Sequence, residues 1–269
     1  MENFGYVRPT NLKEAISLLG AQHGKVSPLA GGTDLLGEMK DDLLAPERLI
    51  SIKHLKELRG IRETAMGLRV GASTLLAEIV ESPAVQKKAP LLAMSAAKVG
   101  TPQLQNMATL GGNLCQRPRC WYFRNNFPCL KRGGDRCYAI TGQNQYHSIL
   151  GGGPSYIVHP SDTAPAGSRA IYVKEMVREI WDFALCSVAA LVTLKNGIVQ
   201  DARVVMGGVA PFPYRAEKAE AALRGRPLDE KTATAAGEAA VDGARPMTKN
   251  AYKIPLAQVV VKRALLTMA

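Results

Sequence analysis

Two glycine-rich segments and a run of cysteines are the residues of this sequence whose types and spacing can do chemistry. The segments are Ala30-Gly31-Gly32-Thr33-Asp34-Leu35-Leu36 and Thr109-Leu110-Gly111-Gly112-Asn113, and Cys115, Cys120, Cys129 and Cys137 follow the second directly. Paired glycines put no Cβ in the way, so a backbone turn can bring several N–H groups against a phosphate, and Thr33 and Asn113 add side-chain donors. Two such turns can grip one pyrophosphate from both sides. Neither follows G-x-G-x-x-G after a first strand or G-x-x-x-x-G-K-[ST], so a Rossmann or P-loop site is not implied. A single Gly-Gly also reads simply as a tight turn. The two in order, running into cysteines, point to a dinucleotide cofactor beside an iron–sulfur site.

The four cysteines leave gaps of four, eight and seven residues, while Cys186 falls in an apolar stretch and reads as a small buried hydrophobe. Three chemistries fit the four. Disulfides are disfavoured in a reducing compartment. Structural zinc usually takes closely paired C-x₂₋₄-C ligands, which are lacking. A 4Fe-4S centre accepts wide, uneven spacing in a loop rich in Arg and Gly, whose N–H groups stabilise anionic sulfur. The four histidines, His23, His54, His147 and His159, form no Ser/His/Asp or His/Glu constellation, so no catalytic acid or base is expected.

These groups need a scaffold, and 269 residues with 46% hydrophobic content suffice for one large domain or two ordinary ones. No apolar run approaches the roughly 18 residues of a membrane span, and Met1-Glu2-Asn3-Phe4-Gly5 lacks a basic n-region before an apolar stretch, so a cytoplasmic protein without membrane insertion is expected. The net charge of +11 is spread along the chain, concentrated mainly between Arg117 and Arg136. With no RNA- or DNA-binding motif, nucleic acid is not an expected partner. That basic stretch reads either as a solvated loop or as cations around an anionic cluster, a cofactor or an acidic partner.

Along the chain, Leu12, Ala15, Ile16, Leu18 and Leu19 after Pro9-Thr10-Asn11 predict a capped amphipathic helix. Short strands are expected at Ser27–Leu29, Glu47–Ile52 and Gly67–Ala72, and helix from Thr74 to Val99, interrupted at Ser82-Pro83. Residues 115–153 have few periodic apolar positions and predict a long irregular loop, which a metal centre would organise. From Phe183 to Thr193 the chain is apolar on both sides, and Asn196-Gly197 predicts a hairpin into Ile198–Met206. Alanine-rich helices are expected at Ala216–Leu223 and Glu230–Val241, with a last one over Leu256–Leu266. The expected class is α+β.

The glycine segments, Cys120-Trp121-Tyr122-Phe123, Cys129-Leu130-Lys131-Arg132, His159-Pro160-Ser161-Asp162, the block from Asp182 to Pro211 and Lys249–Lys253 together carry a resemblance over nearly the whole chain. The sequence resembles the FAD-binding medium subunit of the xanthine dehydrogenase, or molybdenum hydroxylase, family. More narrowly it is similar to the branch whose flavin subunit carries an additional 4Fe-4S cluster. The resemblance implies a vanillyl-alcohol-oxidase (PCMH)-type FAD-binding domain over 1–166, with subdomains about 1–58 and 59–166 and a cysteine-rich loop over 115–155. A small α+β C-terminal domain over 167–269 would follow.

On this resemblance Ala30, Gly31, Gly32, Thr33, Asp34, Leu35 and Leu36 with Thr109, Gly111, Gly112 and Asn113 hold the FAD pyrophosphate. Thr101 lines the site, Asp162 lies near the adenosine or ribityl portion, and Tyr172 and Lys174 neighbour the isoalloxazine ring. Cys120, Cys129 and Cys137 are implied cluster ligands; because Ser155 stands where this branch commonly places a cysteine, either Cys115 completes the four, or Ser155 ligates through oxygen, or the cluster is incomplete, and Cys115 is favoured since serine replaces a soft thiolate poorly. Implied partners are a 2Fe-2S small subunit and a molybdopterin-binding large subunit that oxidises the substrate, in a heterotrimer that is often doubled. Electrons would pass through FAD to an external acceptor. Ala166 abuts Gly167 where family members continue with strands that close the flavin subdomain. That shortening carries an alternative, a flavin-free structural or assembly subunit of the same complex. A zinc-stabilised binding module with a basic face is a third reading.

Overall fold

The structure is a computed structural model that describes residues 1–20, 24–158 and 169–269. It opens with β1 (Gly5–Val7), α1 (Leu12–Leu19), β2 (Val26–Leu29), α2 (Leu35–Lys40) and β3 (Arg48–Ser51), whose strands form a parallel sheet in the order β1-β3-β2. Asn11 starts α1 as expected: its backbone is extended and its Oδ1 accepts the Glu14 N–H at 2.9 Å. Glu14 reaches back to the Thr10 N–H at 2.6 Å, and Gly20, at φ +44°, ends the helix. Ala15, Leu18 and Leu19 then pack on Ile50 and Leu55, which presses α1 onto the sheet. β2 delivers the chain directly into the first glycine segment.

A 3-10 turn at Lys56–Leu58 leads to the antiparallel hairpin β4 (Ile61–Thr64) and β5 (Gly67–Val70). The helical stretch that follows is α3 (Leu76–Glu81), α4 (Pro83–Lys88) and α5 (Pro90–Ala97), then α6 (Pro102–Gln105) and α7 (Leu110–Leu114). Proline removes an N–H and excludes the preceding residue from helix, so Pro83 and Pro90 divide one helical pattern into three pieces. Ser82 caps the second piece by accepting the Val85 N–H at 3.4 Å. Leu76, Ile79, Val85, Ala89, Ala93 and Ala96 fill the core among them.

The cysteine-rich segment is less irregular than expected: it contains α8 (Trp121–Arg124) and a 3-10 turn at Leu130–Arg132. Phe123 is fully buried there, and the Tyr122 ring lies 5.2 Å from Phe127 and 6.1 Å from Tyr138. Aromatic packing does part of the ordering that the sequence assigned to a metal.

The remaining strands, β6 (Arg169–Glu175), β7 (Cys186–Lys195), β8 (Ile198–Gly207) and β9 (Tyr214–Arg215), form an antiparallel sheet in chain order. Asn196 and Gly197, at φ +54° and +75°, make the predicted two-residue turn. Helices α9 (Glu217–Leu223), α10 (Glu230–Ala240) and α11 (Lys253–Leu266) cover one face. The two-sided apolar character of β7 has a direct cause. Cys186, Val188, Ala190 and Val192 face these helices, while Ala189 and Leu191 pack with Leu91 of α5 and Tyr172 of β6. Among the described residues no helix is long and apolar enough to cross a membrane.

Candidate cofactor site

The two glycine segments, 70-odd residues apart in sequence, meet. A Cβ on Gly31 would lie 2.0 Å from the Met107 carbonyl oxygen, and Gly32 takes φ +74° with Leu36 packed over it. Glycine is therefore required at 31 for backbone approach and at 32 for backbone conformation. The N–H groups of Gly32, Thr33 and Asp34 donate to no acceptor among the described residues. They form the kind of open N–H array that binds a phosphate.

The second segment differs from expectation. It is not a turn but the N-terminus of α7, with Thr109 as its cap, and its N–H groups are already taken. Leu110 donates to Thr74 O at 2.9 Å, Gly111 to Ala72 O at 2.8 Å, Gly112 to Thr109 Oγ1 at 3.2 Å and Asn113 to Thr109 O at 2.9 Å. A Cβ on Gly111 would crowd Ala72 at 3.0 Å. A second array of free N–H groups is thus absent, and this segment offers the cleft a glycine surface and the Asn113 side chain.

Between the two lies a cleft of about 500 Å³. Thr33, Asp34, Gly112 and Asn113 line it together with Lys174, Trp181 and the Arg178–Asp182 ion pair. Ala30 follows the last residue of β2, and Leu35 and Leu36 begin α2 behind the turn. Thr101 caps α6, its hydroxyl accepting the Leu104 N–H at 3.4 Å, beside the cleft residue Gly100. Lys174 donates to Lys98 O at 3.0 Å. Tyr172, expected beside a flavin ring, is buried against Leu91 and Ala189 and does not line the cleft. Asp162 lies outside the described residues, as does the Ala166–Gly167 junction. Open backbone donors, a glycine floor and a lining of three cations against two carboxylates fit an elongated diphosphate ligand such as FAD.

Three arginines of the basic stretch pair with carboxylates of the first glycine segment and α2, and one of them, Arg119, also lines the cleft. Asp34 accepts the Arg117 N–H at 2.7 Å, Arg119 Nη2 at 2.8 Å and Arg124 Nη2 at 3.0 Å. Buried Glu38 faces Arg117 and Arg124, each at 3.5 Å. Burial pushes the Glu38 carboxyl up, opposed by the charges of Arg117 and Arg124. Arg119 lines the cleft, packs 5.2 Å from the Phe183 ring and keeps a buried Nε without a partner among the described residues. Sequence reasoning missed this residue because its charge partner lies far upstream.

Cys120, Cys129 and Cys137 share one neighbourhood. Burial pushes the Cys120 thiol up, the Phe123 and Tyr122 N–H groups pull it down, and negative charge on Cys129 or Cys137 would push it up further. Cys115 is exposed at the C-terminal end of α7, and no three His, Cys, Asp or Glu side chains among the described residues converge on a single-ion site. Backbone donors aimed at a cysteine sulfur suit an anionic cluster. His147, buried and held neutral down to about pH 4 first by desolvation and then by Lys253, places Nε2 3.3 Å from Cys120 Sγ. Both line a second cavity of about 360 Å³, which shares Arg119, Arg178, Asp182 and Phe183 with the cleft. Cys186 is fully buried, its thiol pushed up to about 12 by burial.

Comparison with known proteins matches residues 2–131 to the FAD binding domain in molybdopterin dehydrogenase and residues 171–268 to the CO dehydrogenase flavoprotein C-terminal domain. The chain is 30% identical over 278 residues to the carbon monoxide dehydrogenase medium chain of Hydrogenophaga pseudoflava, covering 97% of this chain and 96% of the relative. It is also 30% identical over 317 residues to the aldehyde oxidoreductase FAD-binding subunit PaoB of Escherichia coli (strain K12), covering 96% of each. The solved carbon monoxide dehydrogenase from Hydrogenophaga pseudoflava that lacks the Mo-pyranopterin moiety of the molybdenum cofactor superposes with a TM-score of 0.77 at 29% identity, covering 99% of this chain and 97% of that one.

Proposed function

This chain belongs to the family of FAD-binding medium subunits of the xanthine and carbon monoxide dehydrogenases, and from that premise we propose that it is the electron-transfer subunit of a molybdenum hydroxylase complex. FAD, held by the first glycine turn and the cleft walls, would supply the redox chemistry that links a molybdopterin-binding large subunit and a 2Fe-2S small subunit to an external acceptor. The cleft between the first glycine turn and α7 carries the reading, because its open N–H groups and net positive lining suit a pyrophosphate.

The chain's own residues bind and orient. Gly32, Thr33 and Asp34 present backbone donors, Asn113 borders the phosphate region, and Lys174 and Arg178, the latter paired with Asp182 at 3.8 Å, line the same cleft. None is required as a proton donor or acceptor; the protein's share is binding, orientation and tuning. In the same reading Cys120, Cys129 and Cys137 hold a 4Fe-4S cluster. Cys115, exposed at the end of α7, is the favoured fourth ligand over Ser155, whose oxygen is a poor substitute for a soft thiolate. Residues 1–166 form the FAD-binding domain, residues 167–269 the C-terminal domain, and the complex is a cytoplasmic hetero-oligomer.

The visible spectrum of the anaerobically purified chain, with and without co-expressed partners and before and after dithionite, tests this. Flavin bands over a broad bleaching iron–sulfur shoulder are expected. A colourless protein in both preparations sinks the reading in favour of a flavin-free assembly subunit.

A further inference from the structure

We propose that Asp34, Glu38, Arg117, Arg119 and Arg124 form a latch that couples the flavin turn to the cysteine loop, so that FAD binding and the order of residues 115–124 strengthen each other. The inference rests on the reading that the cleft holds FAD; it does not depend on what the cysteines bind.

Asp34 is itself part of the first glycine turn, yet its carboxylate points its bonding capacity at the other element. It accepts the Arg117 backbone N–H and the guanidinium groups of Arg119 and Arg124, all from the stretch that flanks Cys120. Arg124 also donates to Pro118 O at 2.9 Å and Arg117 O at 3.3 Å, so one 13% exposed guanidinium ties the turn, the loop backbone and α8 together. One helical turn beyond Asp34, Glu38 is 2% exposed and its Oε1 has no hydrogen-bond partner among the described residues. Its compensation is the charge of Arg117 and Arg124 at 3.5 Å.

The charge balance makes the coupling functional rather than merely structural. Three arginines against two carboxylates leave the wall beside the open N–H groups with one net positive charge. With the loop displaced, the same wall carries two uncompensated carboxylates next to the place where a pyrophosphate binds, and like charges repel most strongly where water is scarce. Holding the loop down therefore favours FAD, and by reciprocity FAD must favour the held-down loop by the same factor.

Arg124 is the residue to change, because it lines neither cavity. On the full-length chain, FAD affinity is read by quenching of flavin fluorescence, and loop order by hydrogen–deuterium exchange of the peptide spanning 115–124. In wild type, FAD is expected to slow exchange across that peptide. R124Q is expected to weaken FAD binding about tenfold, within the usual range of coupling between sites, and to abolish most of the FAD-dependent protection. R132Q, which removes a neighbouring arginine stacked on Phe123 that has no contact with Asp34 or Glu38, is expected to leave both unchanged. If R124Q does not fold, R124K keeps the charge without the two-pronged grip, and a partial loss of both signals is expected.

The latch is overturned if the folded arginine variant binds FAD like wild type, if FAD protects the peptide equally in both, or if R132Q matches R124Q. Wild type that binds FAD without protecting 115–124 also sinks the latch and leaves the flavin reading standing. Wild type that binds no FAD removes both together.

Discussion

Gly31 and Met107 touch backbone to backbone: the Met107 carbonyl oxygen occupies the space where a side chain at 31 would begin, 2.0 Å from its Cβ. Contact that close cannot be relieved by a rotamer change, because both partners are main chain. Gly31→Ala is expected to separate the two glycine segments, to lower stability by about 3 kcal/mol or more and to abolish FAD binding, as measured by denaturant unfolding and flavin fluorescence. Gly37, inside α2, is the control. No described residue lies within 4 Å of its would-be Cβ. Gly37→Ala should keep FAD affinity and raise stability by roughly 0.5–1 kcal/mol, the helix preference of Ala over Gly.

The cysteines separate by location. Alanine at Cys120, Cys129 or Cys137 is expected to remove the iron–sulfur absorbance and most of the bound iron, measured by spectrum and metal analysis. Cys115→Ser is expected to leave a cluster that is lost rapidly to a chelator, since one soft ligand is replaced by a hard one. Cys186→Ala should change neither, because that thiol lies in the core under α9–α11.

Glu220 holds the C-terminal sheet to α9. It is 1% exposed and accepts Arg215 at 2.9 and 2.8 Å, Arg224 at 3.2 Å and the Val204 N–H at 3.1 Å. Burial pushes its carboxyl up, but these hydrogen bonds and charges more than offset that and hold it below the usual value. The arginines can turn to water; the Val204 N–H cannot. Glu220→Ala should therefore cost about 1–3 kcal/mol, the penalty for one buried unsatisfied group, with FAD affinity unchanged.

Lys253 gives the stability a distinctive alkaline profile. Fully buried, it donates to Gly208 O at 2.8 Å and Tyr146 O at 3.2 Å, and burial lowers its pKa to about 8 from 10.5, with Cys186 pulling it upward. Between those values the unfolded chain binds more protons than the folded one, so stability rises with pH. The titratable groups coupled to it are His147, neutral throughout this window, and Cys186. Cys186 works in the opposite sense above its ordinary value of 9.0, because the fold keeps its thiol protonated up to about 12. Denaturant titrations should show stability rising from about pH 8 to pH 9 and levelling beyond it. In Lys253→Met the rise should vanish and leave a decline above pH 9.

What the sequence showed and what it hid divide along physical lines. Helix α1 was legible because its cap and its apolar spacing are local, and the β7–β8 hairpin because Asn196-Gly197 needs only its own φ angles. Strand β4 was not, because Ile61 alone among its four residues is even half-buried and no alternation marks it. Helix α11 begins three residues earlier than its apolar pattern, since the residue that opens it is a buried lysine. The glycine pairs announced a phosphate site, but that the second pair spends its N–H groups on Ala72, Thr74 and Thr109 depends on a tertiary approach. Tyr172 is similar: an aromatic at the right place in a family pattern, turned into an apolar seam. The arginines between 117 and 124 were visible as charge, while their destination, 83 and 90 residues upstream at Asp34, was not.

Strand β7 has no solvent-facing side along most of its length, because Ala189 and Leu191 rest on α5 while their alternate neighbours rest on α9–α11. One strand thus serves two interiors. A chimaera that grafts the C-terminal region of one family member onto the front of another would inherit a mismatched seam at Leu91, however well each part matched its own template. Exchange of acceptor or partner specificity between relatives by recombination should succeed only when α5 travels with the sheet.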